Sequence, residues 1–160
     1  MNRKYTTNEF REVAKRLRSY FKDANLTTDI IVGFPGETNE EFTKTYEFLK
    51  EIKFYKMHVF KYSIRKGTKA ENMPNQISPE IKEVRSNKLL ELSDYNEISY
   101  LESYIGKSVE VLFEEEHNEY YKGHTSNYIM VKVKSNEDIS NIILKVKINE
   151  RDKLELIGEI

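Results

Sequence analysis

Two patterns of apolar residues divide the chain, and the first is an alternation of helices with strands. Apolar side chains recur at helical spacing within residues 6–23, 38–52 and 79–105, and the runs Leu26–Val32 and Tyr55–Ser63 lie between them. The predicted order is helix, strand, helix, strand, helix. Strands separated by single helices are expected to pair in parallel through right-handed crossovers. Two strands are too few for a stable sheet, so we expect part of a larger α/β sheet or barrel.

Polar residues mark where the three helices begin. Two stretches fit the capping box, in which a threonine and the glutamate three residues later each accept a free backbone N–H: Thr6 with Glu9, and Thr38 with Glu41. Ser78 is the predicted cap of the third helix, with Pro79 in its first turn. Gly106 is expected to stop that helix at the C′ position.

The second pattern follows Gly106, where short alternating segments replace the helical spacing. These segments lie at residues 108–116, 120–127, 128–134, 141–148 and 153–160. Five strands at this spacing predict a small five-stranded antiparallel, OB-like barrel. The predicted fold class is therefore α/β plus all-β, with a domain boundary between residues 1–97 and residues 98–160.

Charge and composition exclude several classes of function. The 160 residues carry a formal net charge of −1, which provides no overall basic field. Residues 1–97 hold 18 Lys or Arg and 15 Asp or Glu, and residues 98–160 hold 8 and 12, so the net charges are +3 and −4. The absence of cysteine excludes disulfides, thiolate metal sites and iron–sulfur ligation within this chain. No apolar run approaches the roughly 18 residues of a membrane span, and no signal peptide follows Met1, so we expect a cytoplasmic protein.

The turn GFPGET, residues 33–38, is the first candidate site. Gly33 and Gly36 would let the backbone approach a ligand, and the N-terminus of the following helix favours anions. The turn lacks the Lys-Ser/Thr pair of a P-loop. The alternative is a tight turn between strand and helix that merely needs glycine.

The loop after the second predicted strand is the next candidate. Arg65, Lys66 and Lys69 surround Gly67, and loops at the carboxyl ends of parallel strands are where α/β folds bind ligands. An Arg fork could hold a phosphate or carboxylate; the alternative is a solvated basic loop. His58, within the strand, could face a ligand or be structural.

The predicted barrel carries aromatic residues that could stack RNA bases or fill the barrel core. They are Tyr120, Tyr121, His124 and Tyr128. Lys122, Lys132 and Lys134 are the cations close by in sequence, although the region is net acidic. His117 and His124 have no metal-type spacing, so no metal site is assigned.

Four stretches together resemble one family. MNRKYT, DIIVGFPGET, HVFKYSIRKGTKAENMPNQ and YIGK…GHTSNYIMVKV are similar, in this order, to motifs of the radical-SAM tRNA methylthiotransferases, nearest to the branch acting on threonylcarbamoyladenosine. The resemblance covers nearly the whole chain. It implies that residues 1–97 are the C-terminal portion of a radical-SAM barrel, and that residues 98–160 are a TRAM domain, an RNA-binding module.

The family carries its iron–sulfur clusters on cysteines that this sequence lacks. The resemblance therefore implies a C-terminal fragment, without catalytic residues of its own and inactive alone, whose partners are tRNA and the missing N-terminal part. Full-length enzymes use S-adenosylmethionine and 4Fe-4S clusters; neither is expected to be bound here. Through the resemblance, cofactor contacts are assigned to Gly33, Phe34, Pro35, Gly36, His58, Val59 and Phe60. Substrate or RNA contacts are assigned to Arg3, Arg65, Lys66, Lys122, His124 and Tyr128.

Three other functions remain open at this point. The chain could be a cysteine-free RNA-binding adaptor, or a nucleotide-binding module that uses the glycine turn. The substrate could instead be isopentenyladenosine in tRNA. An incomplete sheet would also leave an open edge, through which we expect self-association.

Overall fold

A computed structural model describes residues 3–160 of the chain. These residues belong to two compact units, the first ending at Asn96 and the second running from Glu97 to Ile160. Within residues 3–160, no helix combines the length and the apolar character that crossing a membrane requires.

The first unit contains two parallel strands between helices. Its elements are α1 (Thr7–Tyr20), β1 (Thr27–Val32), α2 (Asn39–Ile52), β2 (Lys56–Lys61), a 3-10 turn at Lys69–Asn72 and most of α3 (Pro79–Glu102). β1 pairs with β2 in parallel, from Thr27 opposite Lys56 to Val32 opposite Lys61. The predicted alternation of elements and the parallel pairing are both confirmed.

Both predicted capping boxes are present, and two helices end earlier than predicted. Thr6 and Glu9 exchange their hydrogen bonds at the start of α1, as Thr38 and Glu41 do at the start of α2. α1 ends at Tyr20 because the next residue has an extended backbone. α3 ends at Glu102, so the prediction that Gly106 is its C′ residue is wrong; the N–H of Gly106 instead donates to the carbonyl of Ile148 at 2.8 Å.

The core of the first unit lies on one face of the two strands. Strand residues Ile30, Val32, Met57 and Val59 pack there with apolar side chains of the three helices, namely Phe10, Ala14, Phe42, Tyr46, Phe48, Leu49, Ile52, Leu89 and Leu92. Burying this set from water is the main force that holds the helices on the strands. The opposite strand face therefore carries the alternate residues.

The two free edges of the sheet differ. On the β2 side, the Met57 N–H donates to the hydroxyl of Ser93 of α3 at 2.9 Å, so the helix satisfies a backbone group that the sheet leaves unpaired. On the other side, β1 has no strand partner besides β2 among residues 3–160. One edge is thus covered by α3, and the other is open.

The second unit is a closed barrel of five strands. They are β3 (Ser108–His117), β4 (Tyr120–Thr125), β5 (Met130–Val133), β6 (Ile143–Asp152) and β7 (Glu155–Glu159), in the order β3-β4-β5-β7-β6 with β6 pairing back to β3. The prediction of a fully antiparallel barrel is wrong at one pair, since β5 and β7 are parallel. β6 crosses to pair with β3, and β7 returns beside β6 in the direction of β5.

Alternate residues of the strands fill the barrel. The buried side chains include Val111, Phe113, Tyr121, Val131, Val133, Val146, Ile148 and Leu156. Gly123 and Gly158 let neighbouring strands approach closely, because a Cβ at Gly123 would lie 2.1 Å from the carbonyl oxygen of Leu112 and one at Gly158 would lie 2.4 Å from Val146 Cγ1.

Candidate functional site

The turn after β1 contains two glycines with positive φ, and one of them is also closely packed. Gly33 has a φ of +72°, and a Cβ there would lie 2.3 Å from Lys82 Cγ. Lys82 is itself fixed, because its Nζ donates to the carbonyl of Tyr62 at 3.0 Å. Gly36 has a φ of +85°, but a Cβ there would meet open space. Close packing therefore excludes a side chain at Gly33, whereas at Gly36 only the backbone conformation favours glycine.

Four of the five N–H groups of this turn are engaged by protein oxygens. Gly33 N donates to the Glu37 carboxylate at 2.8 Å, and Gly36 N donates to the carbonyl of Asn75 at 2.9 Å. Glu37 N bonds to the carbonyl of Phe34 at 3.0 Å, and Thr38 N bonds to the Glu41 carboxylate at 2.9 Å. A phosphate would have to displace these bonds, so the geometry disfavours the nucleotide-phosphate cradle considered from the sequence.

A buried ion pair between Arg85 and Glu37 connects the turn to α3. Arg85 of α3 donates to the Glu37 carboxylate at 2.6 Å and to Asn39 Oδ1 at 2.8 Å, and its side chain is 5% exposed. Its guanidinium carbon also lies 5.4 Å from the centre of the Phe42 ring. Glu37 thus joins the Gly33 backbone to α3, which makes it a positioning group and not a ligand group.

The basic loop lies against the turn. Besides the Asn75–Gly36 bond, the Phe34 ring meets the Tyr62 ring edge-on, with centroids 5.2 Å apart. Within the loop, Gly67 N donates to the Glu71 carboxylate at 2.7 Å. The side chains of Arg65, Lys66 and Lys69 are exposed. The structure therefore brings the two predicted site segments together at the carboxyl ends of β1 and β2.

The three predicted contacts in β2 divide between the two faces of the sheet. Val59 packs against the core. His58 and Phe60 are exposed on the opposite face, where they lie beside Asp29 and Ile31 of β1. The side chain of Val59 therefore does not share a surface with His58 and Phe60.

A cavity of about 1130 Å³ opens along β1, between that strand, α1, α2 and the turn. Four consecutive strand residues, Thr28 to Ile31, line it, as expected where an unpaired strand edge forms a wall. Phe34, Pro35 and Gly36 contribute the turn. Gly33, His58 and Phe60 do not line it. Arg3 is exposed outside its lining; Met1 and Asn2 of the same motif lie outside the described residues.

In the barrel unit, strand alternation determines which candidate RNA-binding residues face outward and which face the core. Tyr120, Lys122 and His124 point outward from β4, whereas Tyr121 is 7% exposed and belongs to the core. Of the two alternatives left open for Tyr121, base stacking and barrel core, the structure therefore supports the core. Across β4 and β5, Lys122 is paired with Lys132 and His124 with Met130. His117 lies at the exposed end of β3.

The outward lysines are engaged by acidic side chains. Lys122 Nζ lies 2.6 Å from Glu155, and Lys132 Nζ lies 2.6 Å from Asp152 and 3.2 Å from Glu155. Hydrogen bonding to Asp152 raises the pKa of Lys132. The Lys132 bond lowers the pKa of Asp152, and the Lys122 bond lowers that of Glu155. Lys122 is therefore half-buried, and its charge is already paired with a carboxylate.

Tyr128 is displayed by a hydrogen-bonded turn. It has a φ of +64° and is 83% exposed, and its ring centre lies 6.0 Å from that of His124. The preceding Asn127 accepts from Thr125 Oγ1 at 2.6 Å and donates to the hydroxyls of Tyr104 at 2.9 Å and Tyr100 at 3.2 Å. These bonds hold the turn so that its aromatic side chain faces solvent.

Sequence reasoning missed Arg85 and Asn127, because each acts through partners far away in the sequence. It also missed Leu112 and Ile143, two exposed apolar residues of the barrel. A signal for Leu112 was present: Val109, Val111 and Phe113 set the inward alternation, and Leu112 falls between them.

The residues present do not fit a metal centre. Across residues 3–160 no group of three or more His, Cys, Asp or Glu side chains is placed to hold an ion. The sequence contains no cysteine for an iron–sulfur cluster.

Residues 1–49 match the family model described as the Radical SAM superfamily. The chain is 41% identical over 153 residues to the threonylcarbamoyladenosine tRNA methylthiotransferase MtaB of Bacillus subtilis, which covers 92% of this chain and 34% of that protein. It is 43% identical over 162 residues to a Methanocaldococcus jannaschii protein named "Probable threonylcarbamoyladenosine tRNA methylthiotransferase", covering 100% of this chain and 36% of that protein.

A third relative carries a different name. The tRNA-2-methylthio-N(6)-dimethylallyladenosine synthase of Caldicellulosiruptor saccharolyticus is 36% identical over 162 residues, with 100% of this chain and 34% of that protein covered. The chain therefore spans about a third of the length of the curated relatives it matches.

Proposed function

The chain belongs to the radical-SAM tRNA methylthiotransferase family, and on that premise we propose that it is the C-terminal part of a longer enzyme that methylthiolates a modified adenosine of tRNA. Relatives with this activity in their names align with 92–100% of the chain, and the chain carries no cysteine. That combination carries the proposal, because the aligned sequence is that of the relatives while the ligands for an iron–sulfur cluster would have to come from other polypeptide.

The open sheet in the first unit supports a role as one wall of a larger barrel. Parallel sheets are normally covered on both faces. Here Phe60 is 52% exposed on the face that also carries Ile31, and β1 has a free edge along the cavity. Further strands added at that edge would continue the sheet, and the exposed face would then become the inside of the barrel.

Some residues of this wall are suited to contact S-adenosylmethionine. The turn offers an apolar ring at Phe34, the ring of Pro35 and open space at Gly36, all lining the cavity. We assign the cofactor contacts to these residues and to His58 and Phe60 on the exposed strand face. Val59 and Gly33 would support the site through packing. When bound with an iron–sulfur cluster, this cofactor supplies radical chemistry, while the protein orients and shields the reactants.

The DNA upstream of the codon for Met1 tests the proposal directly. We expect it to encode, in frame or in an adjacent gene, a segment with the CxxxCxxC pattern of the cluster loop. If the surrounding DNA encodes no such segment, the chain is not part of such an enzyme, and the RNA-binding adaptor becomes the better account.

The proposed substrate is threonylcarbamoyladenosine beside the anticodon, within a cytoplasmic tRNA. The identities of 41% and 43% to relatives named for that nucleoside, against 34–39% to relatives named for dimethylallyladenosine, favour this choice. Nucleoside mass spectrometry of tRNA from cells lacking the gene tests it. We expect 2-methylthio-threonylcarbamoyladenosine to disappear and 2-methylthio-dimethylallyladenosine to remain; the reverse pattern would assign the other substrate.

We propose that the barrel unit is the TRAM-like RNA-binding part of this enzyme. The outward His124 and Tyr128, together with neighbouring lysines, support this role, as does the five-stranded OB-like arrangement. Arg65, Lys66 and the exposed Arg3 are proposed as further phosphate contacts. Because Lys122 is paired with Glu155, an RNA phosphate would have to compete with that carboxylate. Titration of the chain with tRNA at several salt concentrations tests the proposal, and no binding at low salt would contradict it.

A further inference from the structure

One row of outward side chains crosses four strands of the barrel. Ile143 of β6 is opposite Leu112 of β3, Leu112 is opposite His124 of β4, and His124 is opposite Met130 of β5. Directly paired residues share a face, so these four side chains are neighbours on the barrel surface. Ile143 is 63% exposed and Leu112 is 42% exposed, and Tyr128 lies beside His124.

This row is unusual for a surface that is otherwise rich in charge. Contiguous apolar surface on a small domain commonly marks an interaction site. The row combines aliphatic side chains with two rings, and Tyr128 is held outward in a backbone conformation that tyrosine rarely adopts. The bonds from Asn127 to Tyr100 and Tyr104 oppose relaxation of that turn.

Cations lie on both sides of the row. Two residues along β4 and β5 from it, Lys122 and Lys132 face outward, each paired with Glu155, so a phosphate there would compete with that carboxylate. On the opposite side, Lys145 is exposed two residues beyond Ile143 on β6. Acidic groups are present too, since Glu114 contacts His124 at 3.0 Å and Glu110 is opposite Lys145. An apolar strip between cations matches a strand whose bases are unstacked and whose phosphates run along its edges.

We propose that the row formed by Ile143, Leu112, His124 and Met130, with Tyr128, is a platform on which unpaired RNA bases stack. This inference rests on the proposed RNA-binding function and names the chemistry that the barrel recognises. The row would then contribute affinity through base surfaces, and the lysines would contribute affinity through phosphates. A polypeptide partner would be the competing occupant, and the test below separates the two.

The probes are a 12-nucleotide single-stranded RNA of mixed sequence and an abasic strand of the same length, bound to the full 160-residue chain. We expect the wild-type chain to bind the base-containing strand at least about tenfold more tightly than the abasic strand. Tyr128→Asn, which keeps a residue tolerant of positive φ, and Ile143→Ser should each weaken binding of the base-containing strand by about tenfold while leaving the abasic strand unchanged. Leu154→Ser is the matched control, because Leu154 is 47% exposed and lies in the turn after β6, at the opposite end of that strand from Ile143.

The possible outcomes distinguish failure of the proposed RNA-binding function from failure of the platform alone. If the wild-type chain binds neither strand, the proposed RNA-binding function and this inference both fail. If it binds and the two variants match Leu154→Ser, only the platform fails. If the variants leave RNA binding unchanged but alter the association state in light scattering, the row covers polypeptide and the inference is overturned. Circular dichroism of each variant confirms that the barrel has folded, and agreement between two separate substitutions guards against a local defect.

Discussion

At the scale of single residues, Arg85 and Glu37 determine how firmly the candidate cofactor turn is held. Arg85 bonds to Glu37 and Asn39, and Glu37 bonds to the backbone of Gly33, all within a nearly buried cluster. Removing one member of a buried ion pair leaves its partner uncompensated in a poorly solvated place. The turn's conformation therefore depends on a residue about fifty positions later in the chain.

Arg85→Met should lower the free energy of unfolding of the first unit by about 3–5 kcal/mol, because Glu37 loses its buried partner. Urea titration followed by a probe in the first unit measures this loss. Lys44→Met is the matched control, since the exposed pair of Lys44 with Glu40 has side chains 72% and 78% exposed and should contribute at most about 0.5 kcal/mol. Equal losses for the two variants would contradict the assigned role of Arg85.

Lys132 provides a residue-scale prediction that depends on pH. Its hydrogen bonds lower the pKa of Asp152 below 3.8 and contribute to lowering that of Glu155 below 4.5, the ordinary values. Folding therefore releases protons from both carboxyls near those values, and the stability they provide is present above this range and lost as the pH falls through it.

Lys132→Met should accordingly destabilise the barrel at pH 7, and its deficit relative to wild type should shrink as the pH is lowered below about 4. Thermal midpoints of both chains between pH 3 and pH 7 measure the difference. Lys134→Met controls for removal of a positive charge, because Lys134 is 62% exposed and 3.5 Å from Glu119. A deficit that is constant over this range would show that the ion pairs are not its source.

At the scale of elements, features that depend on neighbouring residues could be predicted from the sequence. Features that depend on residues far apart in the sequence could not. The capping boxes at Thr6 and Thr38 are local, so four residues suffice to predict them. The parallel pair of β5 with β7 depends on where β6 crosses the barrel, and no local pattern reports that. The inward position of Tyr121 likewise follows from the register of β4. The residue type alone is compatible with base stacking and with a place in the core.

The edge of β2 allows an element-scale test. Ser93→Ala should cost about 1–3 kcal/mol, because the buried Met57 N–H would lose its acceptor. Hydrogen exchange at the Met57 amide and urea unfolding measure the effect. Ser99→Ala on the same helix is the control, since Ser99 is exposed and should change stability by less than about 0.5 kcal/mol. Unchanged protection of the Met57 amide in Ser93→Ala would contradict the contact.

At the scale of the whole molecule, the open edge of β1 should govern association. Unpaired backbone groups along an exposed strand favour pairing with another chain. We expect concentration-dependent oligomers of the purified chain in multi-angle light scattering. Replacement of Asp29 in β1 by proline should reduce them: the bond from Tyr62 N to the carbonyl of Val32 shows that the even-numbered residues of β1 face β2, so the Asp29 N–H lies on the free edge. Val133→Pro, in a strand with partners on both sides, should unfold the barrel without this selective effect. A strictly monomeric wild-type chain at high concentration would contradict the prediction.

We propose that these residues form one wall of a barrel and an RNA-binding unit, while the reactive iron is held by other polypeptide. The most direct test incubates the purified, metal-free chain with S-adenosylmethionine, a reductant and tRNA containing threonylcarbamoyladenosine, and then measures the 2-methylthio nucleoside by mass spectrometry. We expect no product from this chain alone, and product only when a cluster-bearing segment of the same enzyme is added. Methylthiolated tRNA formed by the metal-free chain unaided would contradict it.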